Sequence, residues 1–208
     1  MIFQTLITKL SEFTPSKLDG QKAHIEVAPY RAIDKKYIPK SPHPAAVLLL
    51  FYPYQNNAYF ILIQRPKYKG NHSGQIALPG GKREQNDRSI RKTALREAEE
   101  ETNINQNKVD IVGELTPLYI PPSNFMVTPI VGISQTRPDF NPDDREVDEI
   151  IEVSVDDLLL DNNLKKKEIN LDNGGVLNTP YFDLNSKVVW GATAMILNEI
   201  KHYISGEH

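Results

Sequence analysis

The 208-residue sequence predicts one α/β domain in which strands and helices interleave. Short apolar runs bounded by Pro, Gly and Asn recur along the chain and read as strands. Between them, residues 88–102 contain no Gly or Pro and carry Ile90, Ala94, Leu95 and Ala98 at helical spacing. No internal repeat, low-complexity tract or linker divides the chain.

Taken in order, residues 1–13 place Ile2, Phe3, Leu6, Ile7, Leu10 and Phe13 on one helical face, where a secretory leader would show a continuous apolar run. Residues 14–44, rich in Pro, Lys and Asp, read as an irregular arm with one short strand over 24–27. Residues 1–44 are therefore expected to pack as helix and arm on a core formed by 45–208. That core begins with a buried strand over 45–52, a turn at 53–57 and a second strand over 58–64, together a hairpin. A polar loop over 66–75 leads through the apolar stretch 76–78 into Pro79-Gly80-Gly81, which reads as a turn. Asp87 is the expected N-cap of the helix over 88–102. Strands follow at 109–115, 127–133 and 149–153, then a short helix at 156–160. A hairpin over 164–181 turns at Asp172-Asn173-Gly174-Gly175, and the last helix covers 191–204.

Hydrophobic residues make up 39% of the chain and charged residues 25%, a globular composition that excludes wholesale disorder. The formal net charge of -3 gives no overall reason to expect a nucleic-acid or membrane-surface partner. The longest apolar run, near residues 45–51, is far too short to span a bilayer. With no cysteine, the chain has no disulfide, thiolate nucleophile or Cys-based zinc site, a usage compatible with the cytoplasm, where we expect it.

The most informative segment is Leu95-Arg96-Glu97-Ala98-Glu99-Glu100-Glu101. On a helix Glu97, Glu100 and Glu101 share one face, where like charges repel and the nearby C-terminal dipole disfavours them. A hard divalent cation, Mg²⁺ or Mn²⁺, would resolve that repulsion; a solvated acidic face is the other reading. Arg96 is placed to orient one carboxylate through a bidentate pair. Just before the helix, Gly80 and Gly81 let backbone approach a ligand, and Lys82 and Arg83 bring cations for phosphate oxygens.

Gly81, five residues, Asp87, eight residues, then Arg96-Glu97-Ala98-Glu99-Glu100-Glu101-Thr102-Asn103-Ile104 resembles the Nudix box. That box runs Gly, five residues, Glu, seven residues, then Arg-Glu-apolar-any-Glu-Glu-any-Gly-apolar. This chain departs in Asp87 for Glu, in one extra spacer residue and in Asn103 for Gly, the last mild because Asn tolerates a left-handed helix cap. The resemblance implies a Nudix-type α/β/α sandwich with a mixed β-sheet. It also implies metal-dependent hydrolysis of a pyrophosphate bond in a nucleotide-like small molecule. Glu97, Glu100 and Glu101 would be the metal ligands, joined by the Gly81 carbonyl. The base would be Glu100, Glu101 or a residue of the acidic segment 143–149, where Glu146 is our choice.

Residues 61–66, 72–81, 121–123, 127–132 and 189–194 further resemble the coenzyme A pyrophosphatase branch, in which the longer spacer and Asp87 are familiar. Coenzyme A or its thioesters would then give 3′,5′-ADP and a 4′-phosphopantetheine product. Gly70 stands where that branch's signature has Arg, and Leu78 where it has Phe. Arg65, Lys67 or Lys69 would have to meet the extra phosphate. Gly80, Lys82 and Arg65 are the expected substrate-binding residues. His72 reads as a structural or exposed loop residue before a base, and Trp190 as a packing anchor before an adenine platform. Residues 121–126 read as a proline-rich connection or a substrate-side loop. ADP-ribose or a dinucleoside polyphosphate is the alternative substrate, and a non-catalytic Nudix-like binding module the alternative class. An isomerase on a related fold would want a Cys, which the chain lacks. A homodimer is left open.

Overall fold

The computed structural model describes residues 1–31, 38–67, 72–170 and 174–206. In chain order the elements are α1 (Phe3–Ser11), α2 (Gln21–Val27), β1 (His43–Tyr54), β2 (Asn57–Gln64), β3 (Ile76–Ala77), β4 (Gly80–Lys82), α3 (Ile90–Thr102), β5 (Asp110–Glu114), β6 (Leu118–Ile120), β7 (Phe125–Ile133), β8 (Glu149–Ser154), α4 (Val155–Leu159), β9 (Leu164–Asn170), β10 (Val176–Leu184), β11 (Lys187–Val189) and α5 (Gly191–Ser205).

β1 organises the core. Its residues alternate between two apolar clusters: Ala45, Leu49 and Phe51 pack with α1 and α5, and Ala46, Leu48, Leu50 and Tyr52 pack under α3. A strand covered on both faces reads in sequence as an unbroken apolar run. The sheet is mixed, with β7 parallel to β1 and every other pairing antiparallel. Helices flank it on both sides, as an α/β/α sandwich requires. β9, β10 and β11 form a separate three-stranded antiparallel sheet.

One irregularity of the sheet makes room for a site. β1 and β2 join through Gln55 and Asn56, both at positive φ (48° and 67°) as a tight hairpin turn demands. They pair only from Phe51↔Phe60 to Tyr54↔Asn57 and then part. In the gap, β3 takes the edge of β2 at Ile63 and Gln64, while β4 takes the edge of β1 at Ala45 to Val47. The segment read as a Pro-Gly-Gly turn is thus partly sheet. Gly80 permits the approach: a Cβ there would lie 2.3 Å from the Ala46 carbonyl oxygen and 2.5 Å from Val47 Cα.

Two further readings are corrected. The strand expected over 24–27 belongs to helix α2, whose Ala23, His24 and Val27 are buried toward α5. Asn198 Nδ2 donates to the Ala23 carbonyl at 2.8 Å, and His24 Nε2 lies 3.0 Å from the Glu199 carboxylate. Tertiary contact decides where local propensity is weak. The N-cap of α3 is Ser89, whose hydroxyl accepts from the Lys92 N–H, and Asp87 is engaged elsewhere. At the other end of α3, Asn103 adopts φ 62°, the left-handed cap its side chain tolerates. Strands β6 and β11, each three residues long, were not anticipated. Of the turn expected at 172–175, Asp172 and Asn173 lie outside the described residues, as do Lys69 and Gly70. Among the described residues no helix is long and apolar enough to cross a membrane.

Candidate active site

Where β1 and β2 part, a cavity of about 870 Å³ opens, within the usual range for small-molecule sites. Glu97, Glu101, Glu146, Gly80, Gly81, Lys82 and Arg65 all line it. Residues from α3, β4, the end of β2 and the 143–149 segment therefore meet at one place. Glu100 and Arg96 do not line it. The cavity's remaining walls include Ile120, Trp190 and Ile196, and from the 121–126 segment Pro121, Pro122, Ser123 and Phe125 face this ligand-sized space. His72 lines it too, its Nδ1 3.1 Å from Gln75 Oε1.

Arg96 explains the division among the glutamates. Its Nε and Nη2 donate to the two Asp87 carboxylate oxygens, both at 3.1 Å. Nη2 also reaches Glu97 Oε1 at 2.9 Å and the Lys82 carbonyl at 3.1 Å, while Nη1 reaches Glu100 Oε2 at 2.7 Å. Glu100, one turn on, is drawn along the helix surface, with its side chain 56% exposed. Of the three carboxylates expected to share a face, Glu97 and Glu101 line the cavity, and Glu100 pairs with Arg96 beside it. Arg96 acts through others: it ties the 82–87 loop to α3 and fixes Glu97.

Asp87 is the other half of this clamp. Besides Arg96 it accepts from the Thr93 hydroxyl at 3.0 Å and the Glu84 N–H at 2.9 Å. These donors, Arg96 foremost, hold its pKa at about 2. Glu101 is in the opposite situation. Its carboxylate, 1% exposed, accepts from the Gly80 N–H at 2.7 Å and lies 3.8 Å from Arg65 Nη1. Burial pushes its pKa up to about 8, with help from Glu97 and Glu146 and against the Gly80 hydrogen bond. Burial likewise raises the Glu97 carboxyl, against the pull of Arg96, with Glu100 and Glu146 adding to the rise. Gly80, expected among the substrate-binding residues, gives its N–H to Glu101.

The arrangement fits a hard cation. Two desolvated carboxylates repel each other and Glu146. A Cβ on Gly81 would stand 2.5 Å from Glu97 Oε2, so a larger residue there would push that carboxylate from its place on Arg96. Among the described residues no group of three His, Cys, Asp or Glu side chains is set to enclose an ion. Mg²⁺-type sites in phosphate chemistry normally take few protein ligands and fill the rest with water and substrate oxygens.

Two residues missed in the sequence belong to this cavity: Tyr30 and Arg31, delivered by the arm. Nothing in their local pattern marks them. Their relevance appears only once α2 is seen to pack on α5.

A family profile described as NUDIX domain matches residues 42–172. A Nudix hydrolase of Yersinia enterocolitica, NudL, is 35% identical over 147 residues, covering 70% of this chain and 73% of that protein. The Yersinia pestis protein of the same name is 34% identical over 146 residues, covering 70% and 72%. Among solved structures, the Nudix hydrolase RenU of M. smegmatis superposes with a TM-score of 0.47 at 24% identity, covering 55% of this chain and 72% of that one. The NUDIX domain of Shewanella oneidensis NrtR, complexed with ADP ribose, gives 0.46 at 18% identity, covering 62% and 82%. The matched profile spans more than half of the chain and includes the whole carboxylate helix, so the chain belongs to the Nudix family and is a Nudix hydrolase, a pyrophosphatase.

Proposed function

We propose that the enzyme hydrolyses the pyrophosphate bond of coenzyme A or its thioesters in this cavity, giving 3′,5′-ADP and a 4′-phosphopantetheine product. Nudix hydrolases use divalent metal ions and act on small nucleotide-like substrates. The observation that carries the reading is the meeting of Glu97, Glu101, Glu146 and Gly81 with Arg65 and Lys82 on one cavity. The segments 61–66 and 72–81, which resemble the coenzyme A branch, supply part of that lining and favour this substrate over others.

Glu97, Glu101 and the Gly81 carbonyl would hold Mg²⁺ or Mn²⁺, with Glu100 an outer member of the set kept in place by Arg96. The metal, when bound, neutralises phosphate charge and lowers the pKa of a water. Arg65 and Lys82 bind phosphate oxygens. The Gly80 N–H fixes the Glu101 carboxylate, and Arg96 fixes that of Glu97. Glu146, at the solvent side of the cavity and with no side-chain partner among the described residues, accepts the proton of the attacking water. Glu146→Gln should then lower kcat by about 10²-fold or more with little change in KM.

ADP-ribose or a dinucleoside polyphosphate is the second reading, because the carboxylate wall addresses the pyrophosphate and not the group beyond it. A panel of coenzyme A, acetyl-coenzyme A, ADP-ribose and a dinucleoside tetraphosphate, assayed with each metal, separates the two. Highest kcat/KM on coenzyme A or its thioester is expected. No turnover of either, with ADP-ribose cleaved well, would reject the coenzyme A assignment.

A further inference from the structure

We propose that Arg31 recognises a second phosphate of the substrate, a phosphomonoester on the nucleoside apart from the scissile pyrophosphate, and so sets the preference for coenzyme A-like molecules. The inference rests on the reading of this cavity as the pyrophosphatase site and deepens it.

Arg31 lines the same cavity as Glu97 and Glu101, yet it comes from a different wall. It ends the 3-10 turn Pro29–Arg31, which follows directly on α2. Its N–H donates to the Ala28 carbonyl at 2.8 Å, and α2 is pinned to α5 through Asn198 and Glu199. The guanidinium is therefore carried on an anchored segment. It lies over the Tyr30 ring at 5.9 Å, and the Tyr30 hydroxyl is 3.8 Å from where a Cβ on Gly191 would stand, beside Trp190. A cation beside one aromatic ring, in a cavity that Trp190 also lines, suits a nucleoside bearing a phosphate.

What singles Arg31 out is its missing partner. Its Nη1 is buried and has no hydrogen-bond partner among the described residues. Buried donors in folded proteins are nearly always paired, so an unpaired one on a residue that lines a ligand cavity calls for a partner that a ligand oxygen can supply. Arg65 Nε shares the condition, but Arg65 also faces Glu101 at 3.8 Å and so belongs to the carboxylate wall. Among the described residues Arg31 has no carboxylate within ion-pair distance. With the pyrophosphate addressed by Arg65 and Lys82, the anion left for Arg31 is an additional phosphate, which a guanidinium binds in two-pronged fashion.

The test pairs ligands that differ by that phosphate alone. Calorimetric titration with 3′,5′-ADP and with 5′-AMP is run on the wild type, Arg31→Ala and Arg31→Lys, alongside turnover of coenzyme A and 3′-dephospho-coenzyme A. The wild type should bind 3′,5′-ADP about tenfold or more tighter than AMP, the scale of one charge-assisted contact. Arg31→Ala should erase that preference and raise KM for coenzyme A much more than for the dephosphorylated form, and Arg31→Lys should keep part of it. A preference that survives in Arg31→Ala, one absent from the wild type, or equal weakening of both ligands would overturn the proposal. If the wild type cleaves another diphosphate and not coenzyme A, the substrate reading fails on that result alone, and the 3′,5′-ADP titration still decides the role of Arg31.

Discussion

At the scale of single residues, Arg96 decides which carboxylates face the cavity. All three of its side-chain nitrogens are engaged, on Asp87, Glu97, Glu100 and the Lys82 carbonyl. A lysine keeps the charge but not the fork, so Arg96→Lys should lower kcat by about 10- to 100-fold, the usual cost of losing a residue that orients ligands. KM should move less. Asp87, held near pKa 2 when folded against 3.8 ordinarily, stabilises the fold fully above about pH 4, and that contribution disappears as pH falls through about 2. Asp87→Asn should therefore destabilise at pH 6 and converge on the wild type in melting experiments below pH 3. Helical spacing made Glu97, Glu100 and Glu101 legible as a set. It did not show that Arg96 would claim Glu100, because i to i+4 pairing is available to every such side chain and only Asp87 fixes where Arg96 sits.

Secondary structure elements reveal a second kind of limit. Strand β1 was readable from its unbroken apolar run and helix α3 from its helical apolar spacing, both local and strong signals. Helix α2 was not, because only contact with α5 supplies its order. His24 and Thr116 both satisfy the Glu199 carboxylate, which is fully buried. Removing one partner leaves a buried charge less well bonded, so His24→Ala should cost about 1–3 kcal/mol, read as a fall in thermal midpoint. The short strand β4 was hidden for another reason: glycines signal turns, yet here Gly80 is required by the distance between backbones. Gly80→Ala forces a Cβ against the Ala46 carbonyl and should destabilise by about 1–3 kcal/mol or more while displacing Glu101. Loss of activity under conditions where the variant remains folded would separate the second effect from the first.

For the molecule as a whole, the sheet splits because β1 and β2 diverge, and the split lets α3, β4 and the arm converge on one cavity. The α/β class and the pyrophosphatase chemistry were legible, since the carboxylates, glycines and cations fall within one continuous stretch. The arm's contribution was not, because Arg31 reaches the cavity through a long-range docking that no local pattern encodes. The central claim is that Glu97 and Glu101 hold the metal that cleaves a pyrophosphate bond in this cavity. Coenzyme A hydrolysis followed against added Mg²⁺ or Mn²⁺, in the wild type and in Glu101→Gln with folding checked by melting, tests it most directly. Turnover should be absent in chelator, rise to saturation with metal, and fall by about 10²-fold or more in Glu101→Gln. Hydrolysis at the wild-type rate by folded Glu101→Gln, or by metal-free enzyme, would contradict it.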